Sequence, residues 1–162
     1  MIFQYTAILS PAPDSGEEVI IFRPEVPLCI HGPSGSANYM ALVDTGADNT
    51  ILPLAIAHEL GITTHKSKGP SATAFGGQEI PLSYADVELE LSQDETSLRW
   101  RARVQFFDFP DAQSEALIVG HEGFLDFFTA IFDGEQTTLD LRPNGDIPLT
   151  ERQKAVHRPR SS

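Results

Sequence analysis

The sequence of 162 residues contains one cysteine, few basic residues and no long apolar run. Cys29 alone permits no intramolecular disulfide, and its apolar surroundings predict a small side chain without a catalytic role. Proline, glycine or charge interrupts every apolar run before the roughly 18 residues that a membrane helix needs, so we expect no membrane partner. The first ten residues lack a basic leader and a long apolar region, so we expect a cytoplasmic protein.

The basic residues are outnumbered: 11 Lys and Arg stand against 23 Asp and Glu, a net charge of −12. Nucleic-acid binding depends on Lys and Arg contacts with phosphates, so we expect no nucleic-acid partner. Neither His58-Glu59 nor His121-Glu122 continues into the zinc-binding pattern His-Glu-x-x-His, and we expect no metal and no cofactor. A Gly-x-Ser-x-Gly nucleophile motif is also lacking.

Alternation of apolar and polar residues, which is typical of strands, is present through most of the chain. It is clearest over residues 98–106, where apolar side chains face one way and three arginines the other. Residues 87–91 alternate in the same way, and the polar segment between the two predicts an antiparallel hairpin. Glu88 and Glu90 are then placed to pair with the arginines across the strands.

Further strands are predicted at residues 18–22, 26–31, 39–43, 116–119, 129–132 and 137–141. One short helix is predicted to start at Pro53 and stop at Gly61, and a second to run from about residue 122 to 128. Many short strands with few helices are typical of an all-β barrel or sandwich. We predict one domain over residues 1–142 and a C-terminal extension over 143–162.

An aspartate that ends an apolar strand is unusual, because burying a lone carboxylate is costly. Asp44 is such a residue. Thr45 follows with a hydroxyl group, and Gly46 permits a tight turn and the close approach of another backbone. Ala47 and Thr50 then return the chain to the core. An ordinary turn acid is the other interpretation, since Asp-x-Gly is common in turns.

This segment, Asp-Thr-Gly-Ala-Asp-Asn-Thr, resembles the active-site loop of the retropepsins, the retroviral aspartic proteases and their cellular relatives. The resemblance implies a closed acid-protease β-barrel with one or two short helices. It implies that Asp44 is catalytic, that Thr45 bonds across a two-fold axis to its symmetry mate, and that Gly46 completes the motif. Ala47 and Asp48 are then expected to contact the substrate.

A second segment, residues 69–80, places paired glycines among small residues between two extended stretches. It resembles the flap, the β-hairpin that closes over a bound peptide in this family. The resemblance implies substrate contacts at Ala74, Phe75, Gly76 and Gly77. A plain hairpin with a Gly-Gly turn is the other interpretation, because such turns are frequent.

A third segment, residues 116–128, is similar to the apolar strand, glycine and short helix near the retropepsin C-terminus. The resemblance implies that the apolar residues before Gly120 pack beside the catalytic loop. Retroviral enzymes have an arginine after this glycine, paired with the acid that matches Asp48. This chain instead has His121, and Gly123 is an insertion.

Peptide hydrolysis by this route needs two carboxylates close together that share one proton. The pairs Asp133-Gly134 and Glu122-Gly123 lack the Thr or Ser of the motif. We therefore expect a homodimeric aspartic endopeptidase with Asp44 from each subunit, in which one carboxylate activates a water to attack a peptide or protein substrate. The alternative is a non-catalytic module of the same fold that dimerises or binds peptides.

Overall fold

The computed structural model describes residues 1–67, 72–73, 79–80, 82–108 and 117–150. Within these ranges the helices are limited to α1 (Leu54–Glu59) and a one-turn 3-10 helix (Leu125–Phe127). The strands, in chain order, are β1 (Ile2–Gln4), β2 (Thr6–Pro11), β3 (Glu18–Arg23), β4 (Glu25–Gly32), β5 (Gly35–Val43), β6 (Ile51–Pro53), β7 (His65–Lys66), β8 (Ala72–Thr73), β9 (Glu79–Ile80), β10 (Leu82–Gln93), β11 (Thr96–Phe107), β12 (Ile118–Val119), β13 (Phe128–Asp133) and β14 (Thr138–Pro143). The predicted all-β class is confirmed.

Six of the strands close into a barrel in the order β11-β6-β12-β5-β4-β10, with β10 pairing back onto β11. The predicted hairpin forms its longest wall, since β10 and β11 pair antiparallel from Leu82 opposite Phe107 to Gln93 opposite Thr96. The short strand β12 lies between β5 and β6, parallel to β5. The closed β-barrel expected from the sequence is therefore confirmed.

The alternation of β11 explains why this wall is stable. Its inward side chains are buried, and they are Leu98, Trp100, Ala102, Val104 and Phe106. On the outward face Arg99 pairs with Glu88, and Arg103 pairs with Asp86 at 2.9 Å. The predicted pairing with the arginines is confirmed for Glu88, which Arg99 contacts diagonally rather than its directly opposed partner Glu90. It is wrong for Glu90, whose Oε2 lies 2.9 Å from Nε2 of His31.

Three aromatic rings pack together inside the barrel. The ring centroid of Trp100 lies 5.9 Å from that of Phe124 and 5.5 Å from that of Phe128. The indole Nε1–H of Trp100 donates to the carbonyl oxygen of Gly123 at 3.0 Å, which satisfies the one polar atom of a fully buried side chain. The segment after β12 is thus fixed to the middle of β11.

The first and last strands, β1 and β14, meet in a second sheet, of order β1-β14-β13. The N-terminal ammonium group of Met1 donates to the carbonyl oxygen of Leu141 at 2.9 Å. Two further pairs of strands, β2 with β3 and β8 with β9, each form a two-stranded antiparallel sheet. The three segments that resemble the retropepsins do not reach residues 1–35. The structure places most of these residues in β1, this β2–β3 hairpin and the barrel strand β4.

The helix predicted at Pro53 is confirmed as α1, and Gly61 ends it with a φ of +66°. The helix predicted over residues 122–128 is wrong in extent, since only Leu125–Phe127 form a single 3-10 turn. Gly123 at φ +89° interrupts the start, and Glu122 forms a β-bridge with Asn49 instead of a helical turn. No helix in the described part of the chain is long and apolar enough to cross a membrane.

Part of the predicted C-terminal extension lies against the barrel. Leu149 forms an antiparallel bridge with Trp100. The backbone N–H of Arg101 donates to the carbonyl oxygen of Pro148 at 3.1 Å. Residues 151–162 lie outside the described residues, and the predicted boundary after residue 142 stays a prediction.

Candidate active site

Asp44 directly follows β5, where the neighbouring segment of β12 fixes the backbone of this strand end. Its N–H donates to the carbonyl oxygen of Val119 at 3.0 Å, and the N–H of Leu42 donates to that of Leu117 at 2.8 Å. The carboxylate is half-buried, and its Oδ1 accepts a hydrogen bond from the N–H of Gly46 at 2.8 Å. The acid is thus positioned at the end of a barrel strand by the turn that it starts.

The turn after Asp44 opens to solvent in the single chain. Thr45, Gly46 and Asp48 are exposed, whereas Ala47 is half-buried. The N–H of Ala47 donates to the carbonyl oxygen of Asp44 at 3.3 Å. The predicted catalytic residues Asp44, Thr45 and Gly46 and the predicted substrate contacts Ala47 and Asp48 therefore form one continuous, accessible loop.

Gly120 supports this loop from the barrel side. A Cβ atom added to Gly120 would lie 2.5 Å from the carbonyl oxygens of both Ala47 and Asn49, so only glycine fits between them without displacing backbone. The next residue, His121, donates its N–H to the carbonyl oxygen of Ala47 at 2.9 Å. The packing of the segment before and at Gly120 beside the loop agrees with what the resemblance implied.

The loop is also held from its far end, where Thr50 is fully buried. The N–H of Gly120 donates to the Thr50 hydroxyl oxygen at 3.3 Å, and the N–H of Thr50 donates to the carbonyl oxygen of Glu122 at 3.1 Å. These bonds fix the far end of the loop to the segment after β12. The side chain of Thr50 is therefore a positioning element rather than a group in the open site.

The His121 ring lies where the resemblance places an arginine. Its Nε2 is 3.2 Å from the carbonyl oxygen of Thr45, and its Nδ1 is 3.9 Å from Oδ1 of Asp126. Within the described residues these contacts take the place of an ion pair with Asp48. The imidazole thus contacts the turn that follows Asp44, a contact that the sequence alone did not predict.

The predicted flap residues Ala74, Phe75, Gly76 and Gly77 lie outside the described residues. The strands on either side of them are described, and β8 pairs antiparallel with β9 through Ala72 opposite Ile80. The substrate contacts predicted for the four residues stay predictions. Among the described residues, no group of three or more His, Cys, Asp and Glu side chains is arranged to hold a metal ion.

A second acid-hydroxyl-glycine triplet, Asp14-Ser15-Gly16, was missed in the sequence interpretation. The structure places it in the exposed turn between β2 and β3, where the N–H of Glu17 donates to the Ser15 hydroxyl oxygen at 3.2 Å. The flanking Pro13 and Glu17 supply no apolar strand behind the acid. This triplet is a hairpin turn, and Asp44 is the acid that the barrel holds in the strand-end geometry.

In this closed β-barrel an Asp-Thr-Gly loop packs against Gly120, which directly follows a barrel strand. This combination defines a protein of the aspartic-protease class. The chain belongs to the aspartyl protease family, whose pattern matches residues 26–120, more than half of its length. The match contains the loop at Asp44 and ends at Gly120. The retropepsin-like identification made from the motifs is confirmed.

Two solved structures that match this chain share little sequence with it. The retroviral protease-like domain of Ddi1 from Leishmania major is 17% identical, with a TM-score of 0.51 over 79% of this chain and 94% of that one. The EIAV protease complexed with the inhibitor HBY-793 is 21% identical, with a TM-score of 0.41 over 61% of this chain and 82% of that one. Among curated proteins no significant match is found.

Proposed function

We propose that two copies of this chain form an aspartic endopeptidase whose active site contains Asp44 from each copy. The observation that carries the proposal is the Asp44 loop, which is fixed by Val119, Gly120 and Thr50 on its barrel side and exposed at Thr45 and Gly46 on the other. An exposed acid turn on a rigid support suits a two-fold axis, across which a second loop supplies the second carboxylate.

The proposed mechanism uses only protein carboxylates and a water. Two carboxylates about 3 Å apart cannot both ionise cheaply, so they share one proton. The ionised Asp44 removes a proton from the attacking water, while its protonated counterpart donates a hydrogen bond to the scissile carbonyl oxygen. The tetrahedral intermediate collapses as a proton passes to the leaving nitrogen. Activity is then expected to be highest at acidic pH and to fall as the shared proton is lost.

The substrate class in this proposal is an extended peptide or protein segment. Such a segment can add strand-like hydrogen bonds to the protein around it, which is a common mode of peptide recognition. The exposed Asp48 lies next to the catalytic turn, where it can contact the substrate backbone. A binding module without catalysis is the competing function.

The test is cleavage of a mixed peptide library from about pH 3.5 to 7.5, at concentrations at which sedimentation shows a dimer. Wild type is compared with Asp44→Asn and with Asp14→Asn, the matched change in the second acid-hydroxyl-glycine triplet. We expect cleavage by wild type and Asp14→Asn, blocked by a statine-type inhibitor, and loss of at least about a thousandfold in Asp44→Asn. A dimeric wild type that cleaves nothing would instead favour the binding module.

A further inference from the structure

The β2–β3 hairpin, residues 6–23, is here called the arm, and it pairs only with itself in the described sheets. Its register places Leu9 opposite Ile20 and Ala7 opposite Phe22. Since directly opposed residues of an antiparallel pair point to the same side, these four side chains form one apolar face. The arm therefore has a continuous apolar surface of two cross-strand pairs.

This face is open to solvent in the single chain. Leu9 is 63% exposed, Ile20 is 62% exposed and Phe22 is 54% exposed. On the opposite face Val19 and Ile21 are less exposed, at 41% and 36%. Scattered exposed apolar residues are ordinary, but a two-stranded hairpin is marginally stable alone and adjoining apolar pairs mark a contact surface. We therefore expect the face of Leu9, Ile20 and Phe22 to pack against another protein surface.

The arm has one base at the second sheet and the other at the end of β5, next to Asp44. At one base the N–H of Tyr5 donates to the carbonyl oxygen of Thr137 at 2.8 Å. At the other base the carbonyl oxygen of Pro24 accepts from the N–H of Val43 at 2.9 Å, one residue before Asp44. Each arm strand has six residues, so the arm reaches about 20 Å from this point.

We propose that the arm packs its Leu9, Ile20 and Phe22 face onto a second copy of this chain, across the two-fold axis that brings the Asp44 loops together. This inference rests on the homodimer of the proposed function and assigns the surface that holds it. The exposed turn at Thr45 is too small to supply the roughly 800 Å² per partner of a specific interface. Because a two-fold axis relates the copies, each contributes an arm, and the area that one arm buries is counted twice in the interface.

The position of the arm favours a second copy over other occupants. If paired Asp44 carboxylates meet at the axis, the partner's barrel begins within reach of an arm rooted next to Val43. A substrate peptide pairs with strand edges, whereas the arm offers a flat apolar face. An anionic lipid surface is disfavoured, because Asp14, Glu17 and Glu18 place negative charge at the tip of the arm.

The proposal is tested by sedimentation equilibrium of wild type, Ile20→Glu and Ile20→Thr. Threonine keeps a β-branched side chain suited to a strand, so it separates loss of the apolar contact from loss of the hairpin. Met40→Glu is the matched control, because Met40 is 50% exposed on the barrel strand β5. We expect the dimer dissociation constant to rise at least about 30-fold in Ile20→Glu, less in Ile20→Thr, and under about threefold in Met40→Glu. Far-ultraviolet circular dichroism checks that the fold is retained.

The same measurements are made on an Asp44→Asn background, so the arm is tested without cleavage. If Ile20→Glu weakens the dimer and the dimeric protein with Asp44 intact cleaves no peptide, the arm is supported and the proposed function is overturned. Cleavage by wild type with a dimer unaffected by Ile20→Glu overturns the arm alone. If Ile20→Glu raises KM for a peptide but leaves the dimer constant unchanged, the arm binds substrate and the proposal is overturned. A wild type that stays monomeric overturns both.

A direct readout is photo-crosslinking from benzoylphenylalanine in place of Phe22, with isotope-labelled and unlabelled chains mixed. We expect mixed-isotope adducts between chains, and few from the same probe at Met40. Adducts confined to single chains would show that the arm folds back onto its own barrel and would contradict the assignment.

Discussion

The fully buried hydroxyl of Thr50 accepts a hydrogen bond from the backbone N–H of Gly120 at 3.3 Å. Thr50 closes the acid loop on one side, and Gly120 packs against the carbonyl oxygens of that loop on the other. The two residues therefore join the strand that follows the loop to the segment that supports it. Their contact makes the geometry of Asp44 depend on two buried residues outside the exposed turn.

Replacing Thr50 by valine keeps the shape of the side chain and removes the acceptor. The N–H of Gly120 is then buried without its partner, so we expect the free energy of unfolding to fall by about 1–3 kcal/mol. Urea unfolding followed by the emission of Trp100, the single tryptophan, measures this change. Thr129→Val, at an exposed strand position, is the control and is expected to shift stability by less than about 0.5 kcal/mol. Equal effects of the two changes would refute the role given to Thr50.

Gly120→Ala places a methyl group 2.5 Å from two carbonyl oxygens. These atoms belong to the backbone, so they cannot move aside by a side-chain rotation. We expect a loss of about 1–3 kcal/mol in stability and a further loss of cleavage beyond the unfolded fraction, since the loop at Ala47 and Asn49 must shift. Gly134→Ala is the matched control, because nothing lies within 4 Å of a Cβ at that position. Denaturant unfolding and peptide kinetics on both variants decide the point. Normal kinetics in Gly120→Ala would show that the loop tolerates the shift.

His121→Ala removes the ring next to the carbonyl oxygen of Thr45 and leaves the backbone bond to Ala47 in place. Because the side chain is 54% exposed, we expect stability within about 0.5 kcal/mol of wild type. The value of kcat/KM is expected to fall about 3- to 10-fold, since the catalytic turn loses a contact that orients it. His58→Ala, an exposed histidine of α1, controls for loss of a histidine. An unchanged kcat/KM would mean that the ring has no positioning role.

Glu90 gives the fold a pH dependence away from the site. Burial alone raises the pKa of Glu90, but hydrogen bonds from Ser97, His31 and Ser92 and the charge of His31 together lower that pKa below its ordinary value of 4.5. A carboxyl group with a depressed pKa stabilises the fold above its unfolded pKa, and this contribution is lost as the pH falls through the folded pKa.

We therefore expect Glu90→Gln to be less stable than wild type at pH 7, by under about 1 kcal/mol for a partly exposed group. The difference should shrink as the pH drops below about 4.5. Unfolding free energies measured from pH 7 to pH 3 give this comparison, with Glu95→Gln in the exposed β10–β11 turn as the control. A difference that stays constant over this range would contradict the assignment to the carboxylate charge.

Local patterns in the sequence account for much of the fold. Alternation predicted the β10–β11 hairpin, and Pro53 with Gly61 predicted α1, because these signals act over a few neighbouring residues. The pairing of β1 with β14 and the insertion of β12 between β5 and β6 join distant segments, which periodicity does not encode. The helix expected over residues 122–128 did not form in full because the N–H of Glu122 donates to the carbonyl oxygen of Asp48 at 2.9 Å, a contact remote in sequence.

The candidate site likewise has features that the local sequence predicted and features that depend on contacts between distant segments. Asp44, Thr45 and Gly46 form one contiguous motif, so the sequence alone was enough to locate them. The contact of His121 with Thr45 depends on how two loops pack, so no pattern of single residues predicts it. The strand at residues 18–22 was predicted, but the exposure of all six residues of β3 depends on how distant segments pack, which a local pattern does not encode.

Thr50 and Gly120 lie 70 residues apart in the chain, and Met1 and Leu141 lie 140 apart. A ribosome adds roughly 5–20 residues per second, so about 4–14 s pass between synthesis of the acid loop and synthesis of the glycine that shapes it. During this interval the nascent chain carries Asp44 without the support that positions it. The order of synthesis thus delays the fixed geometry of Asp44 until β12, the last strand of the barrel in chain order, has been made.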